Sequence, residues 1–541
     1  MKRSLLSFIL CGAILPAAFS FSPDSELVPT GHWLYGALER IYADAGEASL
    51  GVCAPASRFE LRSYLDSIDI DSLCEQGRAL YRKASEFLGE REPITEIGFA
   101  AFDSRPVVSL SARYRASQDA FFDFDLNDAF KETKPLVSLP LELCFTPNVT
   151  GYADLSAGEG VWASKLQDNF TNIPNNASYV DINMPKTAYL SVGNEFCTAV
   201  IGRGALGIGR TFSGSMILSD SADRLDYASL SLFSPGVRFS MMPVELAPDR
   251  FAYYHTLSFR PLKNLSITFS EASLVNSTLD LRYLNPFMIF HSYAGWRDSA
   301  AYGKTEGYPN SPVGSQLALE MSLVPLRGMT VYGQFVMNQF QTQYERENFG
   351  EEAAKIPDSL GGTLGVRLSV PFASGFITGT LEGVYANPWM YILENKAISW
   401  YWSRFELVAP TSYTDKAVSG WLGSPYGPDT IAGVLNLRYE DPESFSLGLT
   451  YRFICKGINS EAFMAWNEAT EGRTYYPQHL AEASATTPYG AARFQNLLLL
   501  EASWRPFSTI EVSGFAGYSI MTGAVEAQSP SLGCAVTWYA R

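Results

Sequence analysis

Val107-Val108-Ser109-Leu110-Ser111-Ala112-Arg113-Tyr114-Arg115 is the stretch that sets the fold class. Val108, Leu110, Ala112 and Tyr114 alternate with Ser109, Ser111, Arg113 and Arg115, so a strand here has one apolar face and one polar face. The pattern returns at Leu265, Ile267 and Phe269 against Ser266, Thr268 and Ser270. It returns once more at Leu364 to Val370, at Phe445 to Tyr451, and at Leu532, Cys534, Val536 and Trp538 near the end of the chain. A soluble sandwich alternates in the same way, so the connections have to decide. Several strand pairs meet at tight, Pro-containing links: Arg260 to Asn264, Val324 to Gly328, Val370 to Ser374, Arg505 to Ser508, and Glu440 to Glu443. Between them lie long polar stretches, Gln341 to Gly362, Asn387 to Thr430 and Lys456 to Phe494. Short turns on one rim and long loops on the other are the pattern of an outer-membrane barrel, turns periplasmic and loops outside.

The expected fold is therefore an all-β transmembrane one, an antiparallel outer-membrane β-barrel of about 16–18 strands with a small N-terminal α-helical bundle. With the helices in the periplasm, the strand entering Pro261 must be even-numbered. After the turn at Pro506 one strand rises from Ile510, a loop crosses Gln528 to Pro530, and the last strand returns.

Upstream of the strands the period is helical. Leu34, Leu38, Ile41 and Tyr42 share one helix face, ending at Gly46. Ser57 and Glu60, three apart, form a capping box ahead of Leu61, Tyr64, Leu65 and Ile68. A third helix runs from Asp71 through Leu80, Ala84 and Leu88. Met1-Lys2-Arg3, the apolar run Leu5 to Leu15 and Pro16 to Ser20 read as a signal peptide, with lipidation at Cys11 disfavoured by the bulky Leu10 before it. The expected division is 1–20 signal peptide, 21–100 periplasmic helical region, 101–541 barrel. After Ser20 no apolar run is long enough for a membrane helix, so a spanning chain has to close a barrel.

The 541 residues include 34 Phe, 29 Tyr and 10 Trp, a 13% aromatic share that suits interfacial girdles. A net charge of −16 argues against nucleic acid and against anionic membrane surfaces as partners. The six cysteines after Cys11 are scattered singly, with a Cys53–Cys74 disulfide as one option. His32, His255, His291 and His479 lie at no metal-site spacing, and neither a GxSxG elbow nor a Walker loop is present. Gly202, Gly204 and Gly207 match GxGxxG, but Thr211 to Ser215 does not read as the helix such a site needs. No cofactor, no metal and no enzymatic activity are expected.

Arg203, Arg210, Asp220, Arg224, Arg238, Arg250, His255, Arg260 and Arg282 crowd one stretch of strands, where they would either line a lumen and bind sugars or ions, or form a salt-bridge lattice that fills it. Trp400, Trp402, Trp421 and Tyr426, with Trp389, Tyr391 and Tyr401, would be carbohydrate-stacking platforms or girdle residues. These two sets supply the candidate site: Arg203, Arg210, Asp220, Arg250, His255, Arg260, Arg282, Trp400, Trp402, Trp421 and Tyr426.

The chain also resembles the Wzi capsule-assembly family of outer-membrane proteins. Val28, Pro29 and the helix through Leu38, followed by Pro55, Ser57 and Arg58, look like that family's periplasmic helical region. Met184 to Leu190 is similar to an early barrel strand, and Ile201-Gly202-Arg203 with Ser215 to Asp220 to the next hairpin. Tyr254, His255, Phe259, Arg260 and Pro261 resemble the following one, and Gly423, Pro425, Tyr426, Gly427, Pro428 and Asp429 a late loop. The resemblance implies an 18-stranded barrel plugged by side chains and loops, acting as a non-enzymatic surface lectin for capsular or extracellular polysaccharide. A porin or substrate-specific channel is the alternative. The expected partners are the outer-membrane bilayer and a polysaccharide, in a chain that is a monomer.

Overall fold

The computed structural model describes residues 23–540 apart from 52, 98–99, 127–133, 160–168, 174–179, 184, 289–312, 349, 351–354, 410–413, 442–443, 468–474 and 476. The signal-peptide reading lies outside the described residues.

Eighteen antiparallel strands close on themselves. They are β1 (Val107–Arg115), β2 (Val137–Thr146), β3 (Val149–Glu159), β4 (Ala188–Asn194), β5 (Cys197–Gly204) and β6 (Leu225–Ser234). Then follow β7 (Val237–Ala247), β8 (Arg250–Leu262), β9 (Leu265–Val275), β10 (Val313–Leu326), β11 (Met329–Gln339) and β12 (Ser359–Phe372). The ring is completed by β13 (Gly375–Ala386), β14 (Thr430–Asp441), β15 (Phe445–Lys456), β16 (Arg493–Phe507), β17 (Ile510–Gly523) and β18 (Ala527–Tyr539). The barrel closes between the first and last alternating stretches, with Leu110 opposite Val536 and Ala112 opposite Cys534. The strand that carries Pro261 is the eighth, an even number as the turn pattern requires.

The apolar row faces outward. Leu110 and Tyr114 are exposed, whereas Ser109 and Arg115 of the same strand are buried inside. Inward hydroxyls pair across strands, as in Thr256 with Ser270 (3.1 Å) and Ser258 with Thr268 (2.9 Å), which satisfies polar groups that lipid could not. Seven of the eight connections at one end are two-residue turns. Pro261, Pro325, Pro371 and Pro506 are each the penultimate residue of a strand, and three of them fall where the ladder register shifts. A residue without an N–H is tolerated there because the ladder is already ending. At the other end two links are also short, 248–249 and 524–526, so Gln528 to Pro530 belong to β18 and form no loop.

Three helices lie against the turn end. α1 (Trp33–Ala45) stops at Gly46, whose φ of +80° is the left-handed conformation that only glycine adopts without strain. α2 (Arg58–Asp66) starts at Ser57, whose hydroxyl accepts from the Glu60 N–H (3.2 Å) and bonds Thr198 on β5 (2.8 Å). Ser57→Ala is expected to cost about 1–2 kcal/mol for the cap and its bond together, read from denaturant unfolding. α3 (Glu75–Leu88) begins later than expected. Ile70–Ser72 is a single 3-10 turn and Leu73 is extended, so the helix starts only after Cys74. The Cys74 sulfur caps it by accepting from the Gly77 N–H (3.2 Å), while Cys53 lies against Ser240 in the lumen (3.3 Å). A Cys53–Cys74 bridge is therefore absent, and all six cysteines among the described residues are free.

His32 caps α1, its Nδ1 accepting from the Leu34 N–H (3.3 Å). Burial, helped by the Arg58 and Arg505 charges, lowers its pKa from 6.5 to about 4. The folded state thus binds this proton less readily than the unfolded chain, so the contribution is complete above pH 6.5 and is lost as pH falls towards 4. His32→Asn, which keeps a cap acceptor, is expected to flatten the stability-against-pH curve in that window. An unchanged slope would show that His32 does not set it.

Candidate functional site

The lumen is filled from both ends. From the turn end, the chain ahead of α1 reaches inside the wall, where the Leu27 N–H donates to Tyr189 Oη (3.0 Å). From the loop end, the connection between β5 and β6 descends, and its Gly207–Ile208 pairs as a two-residue ladder with Cys53–Ala54. Inward groups of β10 to β13 hold that connection by its backbone. Glu382 accepts from the N–H groups of Phe212 (2.7 Å) and Ser213 (2.9 Å), and Gln334 Oε1 from that of Met216 (2.8 Å). Glu320 accepts from the Arg210 N–H (3.3 Å). Glu39 of α1 then bridges Arg210 (3.1 Å) and Arg367 of β12. The cavity left among these groups has a volume of about 30 Å³, room for one water.

Above this plug, at the loop end, is an open concavity of about 470 Å³. Its polar groups include Lys186, Asp220, Asp223 and Arg224, and its aromatic is Phe212, which is 40% exposed. The Arg404 guanidinium fixes Asp223, donating to its carbonyl (2.7 Å) and pairing with its carboxylate. Ser219 is tied down by its N–H to the Leu422 carbonyl (2.7 Å). Carboxylates that accept, cations that donate and one exposed ring make a chemistry suited to a polyhydroxyl ligand.

The expected site residues fall into three groups. Arg210, Arg250 and Arg260 lie in the lumen, and Asp220 lines the loop-end concavity. Arg250 donates to the carbonyls of Ala397 (2.9 Å) and Ser399 (2.7 Å), pinning the long loop before β14, and Arg260 pairs with Glu47 (3.1 Å) at the turn end. Arg203, His255 and Arg282 do not line the lumen, which corrects the expectation for them. Arg203 shares the outward parity of Ile201 and pairs with Asp226 (2.6 Å) on the outer wall. His255 shares that of Leu257 and sits 3.7 Å from Glu271, in an outer-wall pocket edged by Phe287 and Met288. Arg282 pairs with Asp280 beside Tyr283, which stacks on the outward Tyr253 (4.9 Å).

Trp400, Trp402, Trp421 and Tyr426 are all buried in the apolar core of the plug and present no ring face to solvent. Trp421 donates from its indole to Ser460 (3.1 Å), and Tyr426 packs on Phe124 (5.1 Å). Phe212, Glu320, Gln334 and Glu382 went unread in the sequence. Long polar side chains on the inward row of a mid-barrel strand, the carboxylates of Glu320 and Glu382 and the amide of Gln334, were the signal for the last three. The glycines at 202, 204 and 207 belong to β5 and the lumen ladder, with no helix following them.

The fold is that of outer-membrane barrels. It is similar to Wzi, described as an outer membrane protein involved in group 1 capsule assembly in Escherichia coli and a carbohydrate-binding β-barrel. That likeness has a TM-score of 0.55 at 12% identity and covers 94% of this chain and 98% of that one. Pseudomonas aeruginosa OccD3 aligns at TM-score 0.41 and 10% identity, over 83% of this chain and 93% of its own. OprD of the same organism aligns at 0.40 and 8%, over 81% and 94%. No family model matches the chain, and no curated protein matches it.

Proposed function

We propose that this chain is a non-enzymatic outer-membrane lectin that holds a capsular or extracellular polysaccharide at its loop end, working as a monomer with α1 to α3 on the periplasmic side. The observation that carries the reading is the polar concavity at Lys186, Asp220, Asp223 and Arg224 with Phe212 on its wall, set above a lumen filled from both ends. The likeness to a carbohydrate-binding barrel supports it at the level of fold.

Glycan-array binding of the refolded, detergent-solubilised protein tests the proposal. Asp220→Asn and Phe212→Ala are each expected to weaken retention roughly ten-fold, the effect of about 1.4 kcal/mol lost from one charged hydrogen bond or one ring face. Background binding across acidic and neutral glycans removes the lectin reading. The second reading, a porin or substrate-specific channel, predicts stable conductance steps from the wild-type protein in a planar bilayer; a lectin whose lumen is shut at rest shows at most rare, brief openings.

A further inference from the structure

The inner wall is not packed evenly. On β8 the inward residues Ala252, Tyr254, Thr256 and Ser258 are all buried. On β16 and β17 they are only half-buried from the turn end upward, through Ser503, Glu501, Leu499 and Leu497 on one strand and Ser513, Phe515 and Gly517 on the other. Burial becomes complete one inward step higher, at Gln495 and Ser519. Solvent thus climbs this side of the lumen from the turn end and stops at a defined level.

Those two residues are also the ones that hold a loop segment. Gln495 Nε2 donates to the Ala120 carbonyl (3.2 Å) and to Asp125 Oδ2 (2.9 Å), and Ser519 Oγ donates to the same carbonyl (2.6 Å). Asp125 also forms an ion pair with Arg452 of β15. The Arg493 guanidinium lies 4.9 Å over the Phe122 ring and that of Arg452 lies 5.4 Å over Phe124. Residues 117–126 therefore lie as a lid across the β15 to β18 side, held by the Ala120 carbonyl, by the buried rings of Phe122 and Phe124, and by Asp125 as the charged latch. Near the turn end the vestibule widens to a cavity of about 230 Å³, lined by Arg113, Arg438 and Glu501, by the Phe170 and Phe515 rings, and by small residues such as Ser503 and Ser513.

We infer that this side of the lumen is a latent conduit for small anionic solutes, shut at the loop end by residues 117–126 and opened when the Asp125 latch is released. Serines and glycines beside the larger Leu497, Leu499 and Phe515 leave it room, and Arg113, Arg438 and Arg40 against Glu501 and Glu440 leave an excess of positive charge that sets its preference for anions. The conduit is a function separate from glycan retention, and neither depends on the other.

The test is single-channel recording of the full mature chain in a planar bilayer under a tenfold potassium chloride gradient. Wild type is expected to stay closed most of the time. Asp125→Ala is expected to raise the open fraction at least ten-fold, with a reversal potential on the anion side. Adding Ser503→Cys makes that current sensitive to a bulky methanethiosulfonate reagent, with Asp125→Ala alone controlling for the native cysteines. Gln495→Ala serves as the second latch variant should Asp125→Ala fail to show the heat-modifiable migration of a folded barrel. A folded latch variant that stays silent overturns the inference. So does a current that ignores the reagent at position 503, or wild-type openings as frequent as the variant's.

Discussion

Glu60→Ala is expected to lower the unfolding free energy by about 3–5 kcal/mol, the usual cost of stranding one member of a buried ion pair. Glu60 on α2 meets Arg238 Nε on β7 at 2.6 Å, and the two side chains are 1% and 2% exposed. Arg238 reaches further to Ser231 Oγ (3.1 Å) and the Cys53 carbonyl (3.4 Å), while Tyr64 donates to Glu60 (2.9 Å). Without the carboxylate, the guanidinium stays in a dry site with neutral acceptors only. The double variant Glu60→Ala with Arg238→Met removes both charges and is expected to recover most of the loss. Urea unfolding of the refolded barrel gives the energies, and limited proteolysis shows whether α1 to α3 detach first. A single variant within about 0.5 kcal/mol of wild type, the range of ordinary surface substitutions, would falsify the view that this pair ties the helices to the wall.

Trp400→Ala is expected to cost about 3–5 kcal/mol, as for a large aromatic removed from a packed core. Trp400 is fully buried, and the Tyr254 ring meets it edge-on at 6.0 Å. Its backbone also ties the loop together, its N–H donating to the Tyr391 carbonyl (2.8 Å) and its carbonyl accepting from Leu422 (3.1 Å). A stacking platform would behave differently, because truncating an exposed ring removes ligand affinity and leaves stability almost untouched. Thermal unfolding and glycan retention on the same variant separate the two roles. A lower Tm with retention preserved below the transition fits a core residue, whereas an unchanged Tm with lost retention returns Trp400 to the ligand.

The outward-facing rows, the turns at Pro261, Pro325, Pro371 and Pro506, and the caps at Gly46 and Ser57 were all legible in the sequence. Each rests on residues close together in the chain. The orientation of Arg203 and His255 was also legible, since each shares its parity with apolar neighbours, Ile201 for one and Leu257 for the other. Their crowding along the chain gave no information about which side of the wall they face. The third helix starts late because Asp69 and Ser72 close a local turn before Cys74 can cap the helix, a competition that helical periodicity does not register.

The sequence by itself determined the closed antiparallel barrel and its two unlike rims, because a period of two and a tight turn are local chemistry repeated along the chain. Only the tertiary structure decided what fills the lumen. Glu60 and Arg238 are 178 residues apart, Asp125 and Arg452 are 327 apart, and Trp400 lies in a loop with no period to mark it as buried. A loop's side chains acquire their environment from whatever it folds against, and here that is the inner wall of strands far away in the chain.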